Sequence, residues 1–385
     1  MWKHVVANFL TLLIVILVVA IGAVTWGQKQ YTGPGPLGEA ICYEIRAGAT
    51  LSGVARDLKA AGAIRSEYIF RVGADYEGRA GALKAGSYRL EPGASMQQIV
   101  AAIAGSGRST CGTEVNYRIG VAAADIVVRE LDPASDRYEE LVRFDPAAEA
   151  APDAYLAQRD RTGVRYRVTV AEGVTSWQVV EALKRADFLS GETGEVPPEG
   201  MLAPDSYEVT RGMARADLLA EMQRRQQAIL DELWAERAPD LPYDSKEEAL
   251  IMASIVEKET AIPEERRLVA SVFVNRLRQG MKLQTDPTVI YGLTKGQGVL
   301  GRGLRQSELR GRTPWNTYVI DGLPPTPIAN PGRAAIAAAL DPEKSDYLFF
   351  VADGSGGHVF AATLAEHNAN VAKWRAIEAG KGAPE

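Results

Sequence analysis

A chain of 385 residues with 46% apolar and 24% charged residues is long enough for two or three domains, and its composition is that of an ordinary globular protein. A formal net charge of −6, without any Lys/Arg cluster, argues against a nucleic-acid-binding surface. Only three histidines are present, His4, His358 and His367, and none has ligand spacing to a cysteine pair, so no zinc site is expected and nothing signals a cofactor.

Residues 5–26 form a run of 22 without one charge, long enough to cross a bilayer as a helix. Lys3, His4 and the terminal amine precede it, so residues 1–4 read as a cytoplasmic stub, and Trp2 and Trp26 bracket the span. The competing reading is a cleaved signal peptide. The apolar run is longer than a usual signal core, and no clear A-x-A site precedes Gln28. The remainder of the chain then lies outside the cytoplasm. Residues 27–41, with Gly33, Pro34, Gly35, Pro36 and Gly38, read as a flexible linker.

Cys42 and Cys111 are the two cysteines, and in an exported chain they are most simply one disulfide bounding a first module, 42–111. The alternative is two buried thiols. Residues 43–66 and 86–105 each read as strand, glycine turn and amphipathic helix, and residues 166–190 repeat the pattern loosely. Between them, 112–165 has no functional account. Ile126, Val127, Val128 and Leu131, then Tyr138, Leu141, Val142 and Phe144, predict two short helices or a strand and a helix. Residues 145–153, rich in Ala, Pro and acid, read as a mobile loop.

A polar helix is expected over 215–237. Ser245 then caps another, with Glu248 placed for a capping box. Ala249 to Val256 is apolar apart from Ser254, so this helix is expected to be buried on most of its circumference. Glu257 shares a stripe with Leu250, Ala253 and Ser254. A carboxyl in such surroundings is costly to ionise, which suits a general acid. The plainer alternative is a helix-end glutamate in water, paired with Lys258 or an arginine. A further helix starts at Pro263 and ends at Gly280, with Asn275 partly buried on it. Asp286–Pro287 is a ready helix start after Gln284 and Thr285. Asn316, Thr317 and Tyr318 read by themselves as an ordinary strand end. Residues 324–331 are too proline-rich for helix or central strand. Alternation around DGSGG predicts a hairpin over 347–363, and a helix over 364–379 follows.

The blocks ASIVEKET (253–260), VASVFVNRL (269–277), LQTDPTVIYG (283–292), PWNTYVIDGLPPTPIANPG (314–332) and YLFFVADGSGGHVF (347–360) together resemble the signature of the YceG-like family of endolytic murein transglycosylases. EGMLAPDSYEVTRG (199–212) extends the likeness, and it weakens toward Tyr43. The resemblance implies an α+β fold: an N-terminal transmembrane helix, LysM-like α+β modules, and a mixed α+β catalytic domain over 166–385 with a glycan cleft, the second LysM-like segment being 166–190. The modules would contact glycan or only set distance from the membrane. The family's catalytic glutamate maps to Glu257, and Glu259 falls on another stripe. Asn275, Gln284, Thr285, Asp286, Asn316, Thr317 and Tyr318 are the substrate-binding candidates. The implied enzyme sits in the inner membrane with a periplasmic catalytic domain and acts on peptidoglycan strands beside glycan polymerases. It would leave 1,6-anhydro-MurNAc ends from one acid, because the C6 hydroxyl supplies the nucleophile. The alternatives are an inverting muramidase using Asp286 or Glu259 as base, and a non-catalytic LysM-like scaffold.

Overall fold

The computed structural model describes residues 2–105, 109–161 and 163–381. Met1 of the expected stub, residues 106–108 of the first module, Thr162 of the insert and residues 382–385 lie outside the described residues, as do the side chains of residues 3–6. The chain divides into two compact units, one of 1–115, 127–144 and 150–166, the other of 116–126, 145–149 and 167–385.

The first unit begins with helix α1, Trp2–Thr32, whose stretch Ala7–Thr32 is long and apolar enough to cross a membrane. The expected flexible linker is corrected here. The helix runs six residues past Trp26, and Tyr31 and Leu37 are buried in the module's apolar core. Gly35 N–H donates to Gly93 O (2.9 Å), Gly93 N–H to Leu37 O (2.8 Å) and the Arg65 guanidinium to Pro34 O (3.1 Å). Apolar side chains within the Gly/Pro stretch give it a core to join, which composition alone does not register.

In this module β1 (Ile41–Ile45) pairs antiparallel with β2 (Gly86–Leu90). Helices α2 (Leu51–Ala60) and α3 (Glu67–Tyr76) lie between them in sequence, and α4 (Met96–Ile103) follows. Thr50, Ser66 and Ser95 cap the three helices, Ser95 within a full capping box with Gln98. The expected disulfide is present between Cys42 and Cys111. Helix α3 had no counterpart in the sequence reading.

A five-stranded sheet has the order β5-β4-β3-β6-β7, from β3 (Thr113–Ile119), β4 (Ala124–Asp132), β5 (Arg137–Phe144), β6 (Arg165–Val170) and β7 (Ser206–Val209). Residues 124–144 of the insert, expected as two short helices or as a strand and a helix, form the two strands β4 and β5. The β-branched run Ile126–Val128 suits a strand. The turn after it is closed by Asp136 N–H to Asp132 O (3.0 Å), with Asp136 at φ +55°. The stretch expected as a mobile loop leads into α5 (Asp153–Arg159), whose buried Tyr155 packs on Phe144 at 5.1 Å between ring centroids.

The second unit contains α6 (Ser176–Arg185), α7 (Arg215–Ala235), α8 (Lys246–Glu259), a 3-10 turn (Pro263–Glu265), α9 (Arg266–Arg278), α10 (Asp286–Thr294), α11 (Gln306–Arg310) and α12 (Arg333–Leu340). The hairpin β8 (Phe349–Ala352) and β9 (His358–Ala361) and helix α13 (Leu364–Lys381) complete it. Helix α8 is the hub. Every residue from Ala249 to Val256 is buried, and α7, α9, α10 and α12 pack around it. The small residues Ala335, Ala338 and Ala339 let α12 approach closely. Ser245 caps α8 through Glu248 N–H (3.1 Å), but the Glu248 carboxylate accepts from Asp244 N–H (2.8 Å) rather than closing the box on Ser245. Helix α10 starts one residue earlier than expected, with Thr285 at the N-cap and Asp286 as its first residue.

Candidate active site

The last turn of α8 leaves the apolar core, and Glu257 stands where that core meets two loops. One is the turn 172–175 before α6. The other is 328–332, the end of the proline-rich segment before α12. Ile328 N–H donates to the buried Ser254 hydroxyl (3.0 Å), fastening the second loop to α8. The two loops are tied to each other through Asn330. Its main chain exchanges hydrogen bonds with Gly173 N–H and Val174 O, both 2.9 Å. Its side-chain amide donates to Val174 O (2.9 Å) and its carbonyl accepts from Leu202 N–H (2.9 Å). Gln226, wholly buried on α7, donates to Gly200 O (3.0 Å) and Pro331 O (3.1 Å) and braces the loop from behind.

Glu257 Oε2 accepts from the Gly332 amide (2.9 Å). Burial pushes its carboxyl above the ordinary glutamate range. The Glu172 carboxylate adds to the rise, and the Gly332 hydrogen bond, Arg266 and Lys258 oppose it. Glu172 lies so close to Gly332 that a Cβ there would stand 1.7 Å from Glu172 Oε1. Glu172 also faces the Arg266 guanidinium at 3.7 Å. The two carboxylates thus share one glycine. Glu257 is half-buried, so a group beside it is both desolvated and reachable.

Lys258 does not pair with Glu257 by hydrogen bond. Its ammonium donates to Gly173 O (3.3 Å), and burial lowers its pKa. Beyond it, Glu199 accepts from Ser176 N–H (2.7 Å) and the Tyr291 hydroxyl (3.1 Å), and burial raises its pKa too. Tyr291 packs on Trp315 at 5.7 Å, and the Lys295 ammonium sits 3.7 Å over the Trp315 ring. The described residues contain no cluster of His, Cys, Asp and Glu that could hold a metal ion. The chemistry available at Glu257 is proton transfer by a carboxyl whose pKa burial raises, beside a second carboxylate.

The YceG-like family model matches residues 43–373. The chain belongs to the YceG-like family. It is 29% identical over 325 residues to the endolytic murein transglycosylase of Bacillus subtilis (strain 168), covering 84% of this chain and 82% of that protein. It is 28% identical over 340 residues to the endolytic murein transglycosylase of Streptococcus pneumoniae (strain D39), covering 86% of this chain and 57% of that one. A crystal structure of a YceG-like protein from Listeria monocytogenes aligns with a TM-score of 0.46 at 25% identity, covering 86% of this chain and 98% of the other.

In this YceG-like chain, most of the expected substrate-binding residues gather about Glu259, on the other side of α8. The Thr285 hydroxyl donates to Glu259, whose pKa burial raises. Thr317 accepts from Thr285 N–H (3.0 Å), and Tyr318 donates its hydroxyl to Asp286 (2.7 Å). Several of these residues are buried in this structure. Asn316 and Thr317 are 0% exposed and Thr285 3%. The Asn316 amide donates to Glu308 O, Leu309 O and Gly311 O, and the Asn275 amide to Ser345 O (2.8 Å) and Tyr347 O (3.0 Å). Asn316 and Thr317 hold loops, because their polar atoms are already used inside the protein, and half-buried Asn275 spends its amide N–H groups in the same way. Gln284 and Asp286 are exposed, and Gln284 takes φ +49°. Glu172, Asn330 and Gly332 were not singled out from the sequence. The first was legible only as part of a glycine turn and the others as part of a proline-rich loop.

Proposed function

We propose that the chain is a membrane-anchored endolytic peptidoglycan lytic transglycosylase. Its substrate is the MurNAc–GlcNAc β-1,4 bond within nascent strands, and its products carry 1,6-anhydro-MurNAc ends. The observation that carries this is Glu257: a half-buried carboxyl of raised pKa, held by a backbone amide, in the position of the family's acid. Glu257 would protonate the glycosidic oxygen. The Gly332 N–H then stabilises the carboxylate that remains, and that carboxylate takes the proton of the C6 hydroxyl as it attacks C1. The Glu172 carboxylate stands where it can offset positive charge developing at the sugar ring. Substrate would run in a cleft bordered by 172–175 and 328–332.

Helix α1 fits a single-pass anchor in the inner membrane with the catalytic unit in the periplasm, beside the polymerases whose strands it ends. The β-α-α-β order of β1, α2, α3 and β2 supports a LysM-like, glycan-contacting first module.

One observation favours a hydrolase as second reading. Two carboxylates flank one point, as glycosidases require, and the second is Glu172 rather than the Asp286 or Glu259 expected from sequence. Mass spectrometry of products from purified glycan strands decides between them. Anhydro ends support transglycosylation, and ends heavier by one water overturn it. Glu257→Gln should lower cleavage by about 10²–10⁴-fold. Cutting at the parental rate would remove Glu257 from the mechanism.

A further inference from the structure

Helix α3 is apolar on two sides. Phe70 and Ala74 are buried in the core of the first module. On the other side Tyr68, Val72 and Tyr76 stand 73%, 50% and 93% exposed. Their spacing of four places all three within an arc of about 80°. A stripe of this kind is costly in water, and paired tyrosines are the residues that favour a membrane–water interface.

The position of α3 identifies what covers the stripe. The C-terminal end of α1 packs on α3 and α4. Tyr31 lies against Gly73, so closely that a Cβ on Gly73 would be 2.3 Å from the Tyr31 ring. Gly73 immediately follows Val72 of the stripe. The junction is fixed by the Gly35–Gly93, Gly93–Leu37 and Arg65–Pro34 hydrogen bonds. Trp26 marks the last aromatic of the apolar span, and Tyr31 is five residues on, about 7.5 Å at helical rise. The polar layer of a bilayer leaflet is about 5–7.5 Å deep. Helix α3 is therefore held at the level of the lipid headgroups. Arg71 is exposed on the same helix and can meet lipid phosphates, while Arg79 beyond its end is half-buried and faces Glu77 at 3.6 Å.

We propose that the Tyr68–Val72–Tyr76 face of α3 docks into the headgroup layer of the bilayer that α1 crosses, so that the first module lies on the membrane rather than hanging from it. This rests on the reading of α1 as an anchor.

The test uses the full chain in phosphatidylethanolamine/phosphatidylglycerol vesicles, its disulfide intact, with a nitroxide on one added cysteine. Leu17→Cys reports the anchor, Val72→Cys and Tyr76→Cys the stripe, and Leu364→Cys, exposed in the second unit, gives the water reference. The expected result is hydrocarbon depth at 17, and several-fold lower collision with a water-soluble nickel complex at 72 and 76 than at 364. Nickel access at 72 and 76 equal to that at 364, with 17 still in hydrocarbon, overturns the docking and leaves the anchor standing. Access at 17 removes the anchor and the docking with it. Spin–spin broadening between labels at 76 would show that a second copy covers the face, and would also overturn the proposal.

Discussion

Asn330→Ala tests whether the two loops around Glu257 are set by one buried amide. The substitution leaves the main-chain bonds of residue 330 in place. It deletes the donor to Val174 O and the acceptor of Leu202 N–H, both 2.9 Å, and two longer contacts with the Ser176 hydroxyl at 3.3 and 3.4 Å. Val174 O keeps a partner, since Asn330 N–H still donates to it, so that loss is about 1 kcal/mol. Leu202 N–H loses its acceptor in the interior, which costs about 1–3 kcal/mol. The sum is about 2–4 kcal/mol, or a melting temperature lower by about 4–16 °C for a unit of this size. Calorimetry of the second unit's transition measures it, and strand cleavage well below the melting point should fall as well, because Gly173 and Gly332 are no longer held in register with Glu257. Ser176→Ala removes only the long contacts and should cost under about 1 kcal/mol. An Asn330→Ala variant melting within 2 °C of its parent, with unchanged cleavage, would refute the claim that this residue organises the site.

Other expectations concern charge and the covalent link. Glu172→Gln removes a negative neighbour that helps keep Glu257 protonated, so the alkaline limb of the cleavage–pH profile should move to lower pH; a shift to higher pH contradicts the arrangement. Because the folded-state pKa of Glu257 is raised, its contribution to stability is complete below the unfolded-state pKa and is lost as pH rises through the folded value. Glu257→Gln should therefore hold or raise the melting temperature at pH 8 while it lowers cleavage by about 10²–10⁴-fold, and a marked drop in melting temperature would make Glu257 structural. Glu259→Gln keeps an acceptor for Thr285 and should cut strands within a few-fold of the parent rate, whereas a loss as deep as that of Glu257→Gln would move the acid to the other side of α8. Replacing Cys42 and Cys111 with alanine opens a loop closed over a separation of 69 residues. Chain entropy puts that at about 4 kcal/mol against the first module, readable as an earlier urea midpoint with an unchanged second-unit transition.

The sequence by itself determined the features that depend on local order. The Ser245 cap and the apolar run after it specify α8, and helical period then puts Glu257 at the edge of that run. The charge-free stretch, the cysteine pair and the alternation around DGSGG were equally readable. Tertiary structure decided what surrounds the acid. Glu172 and Gly332 come from segments 85 and 75 positions away from Glu257, and both the desolvation and the neighbouring charge that raise its pKa are sums over such distant groups. The same holds for the amide of Asn275, whose N–H groups go to the carbonyls of Ser345 and Tyr347, 70 and 72 positions away. The pairing of two strands over 124–144, read as two helices or as a strand and a helix, and the docking of 33–40 escaped for a related reason: a strand or a Gly/Pro segment is ordered by the partner it finds, and the partner is not written beside it.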